Sequence, residues 1–203
     1  MNVAVIDYGI GNLASVDKAL AFVGATPTRA TAPAALASAD AIVIPGVGHF
    51  SATQALNRDW RQPIRQALER RVPMLGICLG MQWLCAGSTE APDVPGLGVI
   101  AGACDRLSGD VKVPHVGWNS LDDIAPESVL LRGLPLHGAA YFTHAYAVPV
   151  SGDAVATTTH GRPFASAVER DRVFGVQWHP EKSGQVGLAI LTNFVACAAE
   201  VTC

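Results

Sequence analysis

The stretch Gly76-Ile77-Cys78-Leu79-Gly80 sets a cysteine between two glycines, and its residue types are those of a nucleophile on a sharp turn. It follows the apolar run Val72-Pro73-Met74-Leu75, which reads as a buried strand, and it leads into Gln82-Trp83-Leu84, which can begin a helix. This is the layout of a nucleophile elbow, so tight that side chains at 76 and 80 would collide with the neighbouring strand and helix. The thiol is held clear of the sheet, and the amides of the following helix favour its thiolate. A nucleophilic cysteine also needs a base and a group that orients the base. His179-Pro180-Glu181, directly after the strand expected at 173–178, is the best candidate for both. The residue before a proline is pushed toward extended geometry, where positions i and i+2 face the same side. An isolated His-x-Glu would be an ordinary solvated pair; its place after a strand, in a chain that also carries the elbow, favours the chemical reading. Cys85, Cys104, Cys197 and Cys203 have no such surroundings and read as small buried hydrophobes.

Attack of a thiolate on an acyl carbon creates an oxyanion that needs donors. The Leu79 amide is one. A backbone N–H from another strand-end loop is the usual second, and Pro45-Gly46-Val47-Gly48 ends the apolar run Ala41-Ile42-Val43-Ile44. Alone, this glycine loop would mean only a turn. Together with Cys, His and Glu in that chain order, it gives a thiol hydrolase on an open α/β sheet.

The remaining elements must position these groups. Val3-Ala4-Val5-Ile6 is a continuous apolar strand, followed by the glycine-rich loop Asp7 to Asn12 and a helix from Leu13 to Val23. Thr28-Arg29 is a short strand, 33–39 a helix, and 51–70 a helical region. Apolar runs alternating with helical patterns predict βαβ units: an α/β fold with an open, mostly parallel, twisted sheet and helices on both faces. The three glycine-rich loops each follow a strand, so they should share one rim. After Gly96, short β-like pieces at 99–100, 111–113 and 141–142 predict an antiparallel or mixed extension of the sheet. Strands at 154–158, 164–169 and 173–178 and a helix over 187–198 complete a single domain spanning 1–203.

Half of the residues are hydrophobic and only 15% are charged, which is the composition of a packed globular chain. A formal charge of −3 gives no electrostatic footprint for nucleic acid or an anionic membrane surface. The start lacks the pattern of a signal peptide and no apolar run is long enough to span a bilayer, so a cytoplasmic protein is expected. Five scattered cysteines without a Cys-x-x-Cys pair argue for free thiols and against a disulfide framework or a zinc site. No cofactor or metal is expected.

Six stretches carry a family resemblance. Pro45-Gly46-Val47-Gly48, Gly76 to Gln82, and Gly175-Val176-Gln177-Trp178-His179-Pro180-Glu181-Lys182-Ser183 resemble the motifs of the triad (class I) glutamine amidotransferases. Asp7 to Leu13, Pro114-His115-Val116-Gly117-Trp118-Asn119 and Tyr141-Phe142-Thr143-His144-Ala145-Tyr146 are similar to stretches of the glutaminase subunits of imidazole glycerol phosphate synthase. The resemblance spans nearly the whole chain. It implies that Cys78 attacks the side-chain carboxamide of L-glutamine, with His179 shuttling protons and Glu181 holding His179. It implies oxyanion donors at Val47, Gly48 and Leu79, and substrate contacts at Gln82 and Glu90. It further implies docking, as a heterodimer, on a (β/α)8-barrel cyclase that uses the ammonia in histidine biosynthesis, with Asn12, Trp118, Tyr141 and Lys182 facing that partner. For Trp118 and Tyr141, plain core packing is the competing reading. Val116, Trp178 and the pair Ala86-Gly87 depart from the family's usual residues without removing a reacting group. Two other readings compete: a triad glutaminase serving a different synthase, disfavoured by the 114–119 stretch, and a silent regulatory module, disfavoured by the intact Cys78, His179 and Glu181.

Overall fold

Val3-Ala4-Val5-Ile6 has no polar position and so no face suited to water; such a strand belongs inside a sheet covered on both sides. In the computed structural model, which describes residues 1–135 and 137–200, it forms the interior strand β1 (Asn2–Ile6). The chain continues through α1 (Leu13–Phe22), β2 (Thr26–Ala30), β3 (Ala41–Ile44), α2 (Arg61–Glu69), β4 (Met74–Ile77) and α3 (Leu79–Leu84). Then come β5 (Asp105–Arg106), β6 (His115–Ser120), β7 (Ala139–His144), β8 (Tyr146–Ala147), β9 (Ala154–His160), β10 (Arg162–Arg170), β11 (Val173–Val176) and α4 (Gly184–Ala199).

Seven strands form the main sheet in the order β2-β1-β3-β4-β11-β10-β9. The first five run parallel, and β10 and β9 extend the sheet antiparallel. Alternation along β1 sends Val3 and Val5 into one core and Ala4 and Ile6 into another. The first core takes Val16 and Leu20 of α1 with Ile190, Leu191 and Phe194 of α4; the second takes Ile64 and Ala67 of α2 with Met81 and Leu84 of α3. The expected mainly parallel α/β sheet, covered on both faces, is what forms.

Several local expectations are corrected. The antiparallel extension comes from β9 and β10, not from the pieces after Gly96. Val99 and Ile100 make no strand, because both amides turn back to the Leu84 carbonyl at 3.0 and 3.1 Å. Val111 to Val113 make none either; Val111 packs against the Gly161 turn, where a β-carbon would meet it at 2.8 Å. Tyr141-Phe142 does lie in a strand, β7, but β7 pairs with β6 in a separate two-stranded ladder. The segment Pro33–Ser38 is a 3₁₀-helix, which covers more distance per residue across the short link 31–40. The region 51–70 is broken: Leu56–Trp60 widens into a π-helical turn, and α2 begins only at Arg61. Pro63 lacks an N–H and its ring presses on the preceding turn, which accounts for the wide turn there. The strand expected at 72–75 begins at Met74 instead, because Pro73 has no donor for the ladder. Cys78, Cys85, Cys104 and Cys197 are buried free thiols, and Cys203 lies outside the described residues. No described helix is long and apolar enough to cross a membrane.

Candidate active site

Parallel strands deliver their following loops to one rim, and the three glycine-rich loops do meet there. Gly11, after β1, packs against Pro45 and Gly46, after β3. A β-carbon on Gly46 would strike the Tyr8 hydroxyl and stand 2.9 Å from Leu79 Cβ at the start of α3.

Cys78 joins β4 to α3 with φ +51° and ψ −107°, a strained conformation for a residue with a β-carbon. Such strain costs about 1–3 kcal/mol and is held by surroundings that over-determine it. The surroundings here are tight as the sequence implied. A β-carbon at Gly80 would overlap the Ile44 carbonyl, and one at Gly76 would lie 2.7 Å from the Met81 amide. Neither glycine has a left-handed φ, so close approach is what requires them.

β4 and β11 are parallel neighbours in the register Ile77↔Val176, and the Cys78 N–H donates to the Val176 carbonyl at 2.8 Å. The residues just beyond each strand therefore meet, and this brings His179 beside Cys78. His179 Nδ1 lies 2.9 Å from Glu181 Oε1, with both side chains about 2% exposed. The pair meets through a 3₁₀ turn at Pro180–Lys182, not through the extended run expected from the proline. His179 Nε2 is buried without a hydrogen bond among the described residues. Burial pulls the imidazole down, but the Cys78 sulfur and the Glu181 carboxylate outweigh it and raise its pKa to about 9. The arrangement can hold an imidazolium between a thiolate and a carboxylate.

Ser183 locks this loop. Its hydroxyl donates to the His179 carbonyl at 2.6 Å and accepts from the Tyr141 N–H at 2.9 Å, while the His179 N–H donates to the Tyr141 carbonyl at 2.9 Å. Ser183 ends the stretch Gly175 to Ser183, and nothing in that pattern marks its hydroxyl for this task.

A cavity of about 40 Å³ is lined by Gly48, Cys78, Leu79, Gln82, Glu90, Thr143, His144, Ala145 and Tyr146. Four of the expected site residues, Gly48, Leu79, Gln82 and Glu90, thus surround the thiol. Val47 does not line the cavity and is 38% exposed. The Leu79 N–H, expected to face an oxyanion, donates over 3.4 Å to the Gly46 carbonyl. Glu90 Oε2 accepts from the Phe50 N–H at 2.7 Å and so ties down the segment after the glycine loop.

The exposed aromatic group lies on β6, β7 and the turn after His179. Trp118 and Tyr141 are cross-strand partners, edge to face at 6.1 Å, and Lys182 Nζ stands 5.7 Å over the Tyr141 ring. Trp118 is 57% exposed, which rules out core packing for it. Asn12, at the start of α1, is exposed and its side chain does not cap the helix. Tyr8 belongs to the glycine-rich loop Asp7 to Asn12, where no role was expected of it. Its hydroxyl is buried without a partner among the described residues, and burial, reinforced by Cys78, pushes its phenol well up.

Residues 4–197 match the family described as glutamine amidotransferase class-I. The chain is 46% identical over 200 residues to the imidazole glycerol phosphate synthase subunit HisH of Microcystis aeruginosa, covering 95% of this chain and 94% of that one. It is 44% identical over 198 residues to the HisH subunit of Deinococcus radiodurans, covering 95% and 92%. Among solved structures, a glutamine amidotransferase aligns with TM-score 0.77 at 19% identity, covering 97% of this chain and 98% of that one. The glutaminase domain of Trypanosoma brucei CTPS, with bound acivicin, aligns with TM-score 0.72 at 16% identity, covering 98% and 94%. At these identities the structural likeness shows the fold.

Proposed function

The chain belongs to the class-I glutamine amidotransferase family, with HisH subunits among its relatives, and within that family we propose that it is the glutaminase subunit of an imidazole glycerol phosphate synthase. L-glutamine is the substrate. His179 Nε2 takes the Cys78 proton, and the thiolate attacks the carbon of the glutamine side-chain carboxamide. Collapse of the tetrahedral intermediate breaks the C–N bond, with the proton from His179 going to the departing ammonia and a γ-glutamyl thioester left on Cys78. Water, deprotonated by His179, then hydrolyses the thioester to glutamate and restores the thiol. Glu181 keeps the Nδ1 hydrogen in place and stabilises the imidazolium. The Leu79 amide and the Val47-Gly48 peptide serve the oxyanion, while Gln82 and Glu90 contact the substrate.

The observation that carries this reading is the buried His179–Glu181 pair beside a cysteine held at positive φ. Ammonia passes to a (β/α)8-barrel cyclase bound as a heterodimer at Asn12, Trp118, Tyr141 and Lys182, and the cyclase makes imidazole glycerol phosphate and aminoimidazole carboxamide ribotide. The protein is one cytoplasmic domain. With the Leu79 N–H turned toward Gly46 and the cavity narrow, glutamine turnover by the subunit alone is slow. The test is glutaminase activity with and without the cyclase and its nucleotide substrate. Fast turnover without a partner would argue against coupling, and equal absence of activity in wild type and Cys78→Ser with the partner present would argue for a silent module.

A further inference from the structure

The Tyr146 carbonyl can only accept a hydrogen bond, and this orients two glutamines behind the thiol. Gln82 Nε2 lies 2.8 Å from that oxygen, so the amide nitrogen of Gln82 faces it. The same nitrogen lies 3.1 Å from Gln177 Oε1. Gln177 therefore turns its oxygen to Gln82, and its own nitrogen falls 3.7 Å from the Cys78 sulfur. Flipping the Gln177 amide would face nitrogen with nitrogen and lose the bond to Gln82. Gln177 is completely buried, and its backbone N–H is held by the Ser166 carbonyl at 2.9 Å.

Resting on the reading of Cys78 as the nucleophile, we infer that Gln177 is a positioning residue for it: its Nε2 supports the sulfur as the thiolate forms, and its Oε1 fixes Gln82 as an acceptor toward the pocket. Both amide hydrogens of Gln82 are engaged, one by Tyr146 and one by Gln177, so Gln82 offers the cavity its oxygen. It consequently recognises an N–H of the substrate. The Thr143 carbonyl also lies 4.0 Å from the sulfur; it suits a thiol hydrogen and gives nothing to a thiolate. Donation to an anionic sulfur thus comes from Gln177 on one side and from protonated His179 on the other.

Two substitutions separate the two bonds. Gln177→Met has nearly the same volume and neither donor nor acceptor; Gln177→Glu keeps the acceptor for Gln82 and removes the donor to sulfur. Each is assayed with the cyclase partner for glutaminase kcat and KM, and each folded protein is treated with iodoacetamide while Cys78 alkylation is followed by mass spectrometry. For Gln177→Met, alkylation slows about tenfold, kcat falls about ten- to hundredfold and KM rises several-fold as Gln82 is released. For Gln177→Glu, kcat falls at least as far while KM stays within about twofold. Alkylation and kcat of Gln177→Met both within about twofold of wild type would overturn the assignment. If Gln177→Glu fails to fold, the Met variant decides. A Cys78→Ser protein that keeps glutaminase activity would instead sink the nucleophile reading, and the alkylation rates would still report whether Gln177 supports the sulfur.

Discussion

His115 Nδ1 lies 3.2 Å from His144 Nε2, both rings are buried, and the proton between them is assigned by their neighbours. His144 Nδ1 is 2.9 Å from the Tyr146 carbonyl, so it carries the hydrogen and Nε2 accepts. His115 then donates from Nδ1, and its Nε2 accepts from Asn119 Nδ2 at 3.2 Å. A further proton on either ring would set two N–H groups face to face. Burial pushes His144 down to about 3, opposed by its bond to Tyr146 and helped by His115, His160 and His179. His115 falls to about 4 through burial and then His160. The two rings form a neutral buttress behind the cavity wall.

That buttress makes the fold acid-labile. With folded pKa values below the unfolded 6.5, the unfolded chain binds more protons as pH falls from 6.5 toward 4. The contribution of these two histidines is therefore complete above 6.5 and drops below it, by about 1.4 kcal/mol per pH unit for each. Thermal melts from pH 7 to pH 4 on wild type and His144→Gln should show a lower midpoint for the variant at pH 7 but a shallower acid slope. Equal slopes would place the acid lability elsewhere.

His179 works in the opposite direction. Its folded pKa of about 9 lies above the unfolded 6.5, so the native state holds an extra proton between them. The resulting stabilisation is complete below 6.5 and is lost as pH rises through about 9, again by about 1.4 kcal/mol per pH unit. Urea midpoints at pH 7 and pH 9.5 should converge in His179→Gln and differ in wild type. A wild type indifferent to this range would mean that a protonated His179 beside Glu181 does not stabilise the fold.

The elbow, the glycine loops and the strands Val3 to Ile6 and Ala41 to Ile44 were legible in the sequence because each is a local pattern: an apolar run, then residues that turn sharply. What was not legible depended on partners far away in the chain. Nothing near Val99 says that its amide will bond to Leu84, and nothing near Tyr141 says that its strand leaves the main sheet to pair with Trp118. Of the polar residues, Cys78 was marked by its glycines, whereas Gln177 and His144 owe their roles to Gln82 and His115, 95 and 29 residues away. A buried hydrogen-bond chain leaves no period in the sequence.

Gly80 should be intolerant of even a methyl group. Its missing β-carbon makes room for the Ile44 carbonyl, which is backbone and cannot swing aside. Gly80→Ala is expected to cost about 3 kcal/mol or to abolish folding, by urea unfolding. Gly152→Ala has open space around it and should stay within about 0.5 kcal/mol of wild type. A mild effect at Gly80 would show that the elbow can shift away from β3, and the reason given for its glycine would fail.

Trp118 should matter for binding far more than for folding. Its ring is more than half exposed and its aromatic neighbour is Tyr141, so Trp118→Ala removes one edge-to-face contact, worth about 1 kcal/mol of stability. If this rim docks the cyclase, the same change removes a large anchor beside Lys182, and affinity measured by calorimetry should weaken by about 2 kcal/mol, or about thirtyfold. Phe22 is the control. It is 76% exposed at the last residue of α1, and ten helical residues carry it about 15 Å from the rim where α1 begins. Phe22→Ala should leave cyclase affinity unchanged; if it weakens binding as much as Trp118→Ala, the partner covers a different face and the rim assignment is wrong.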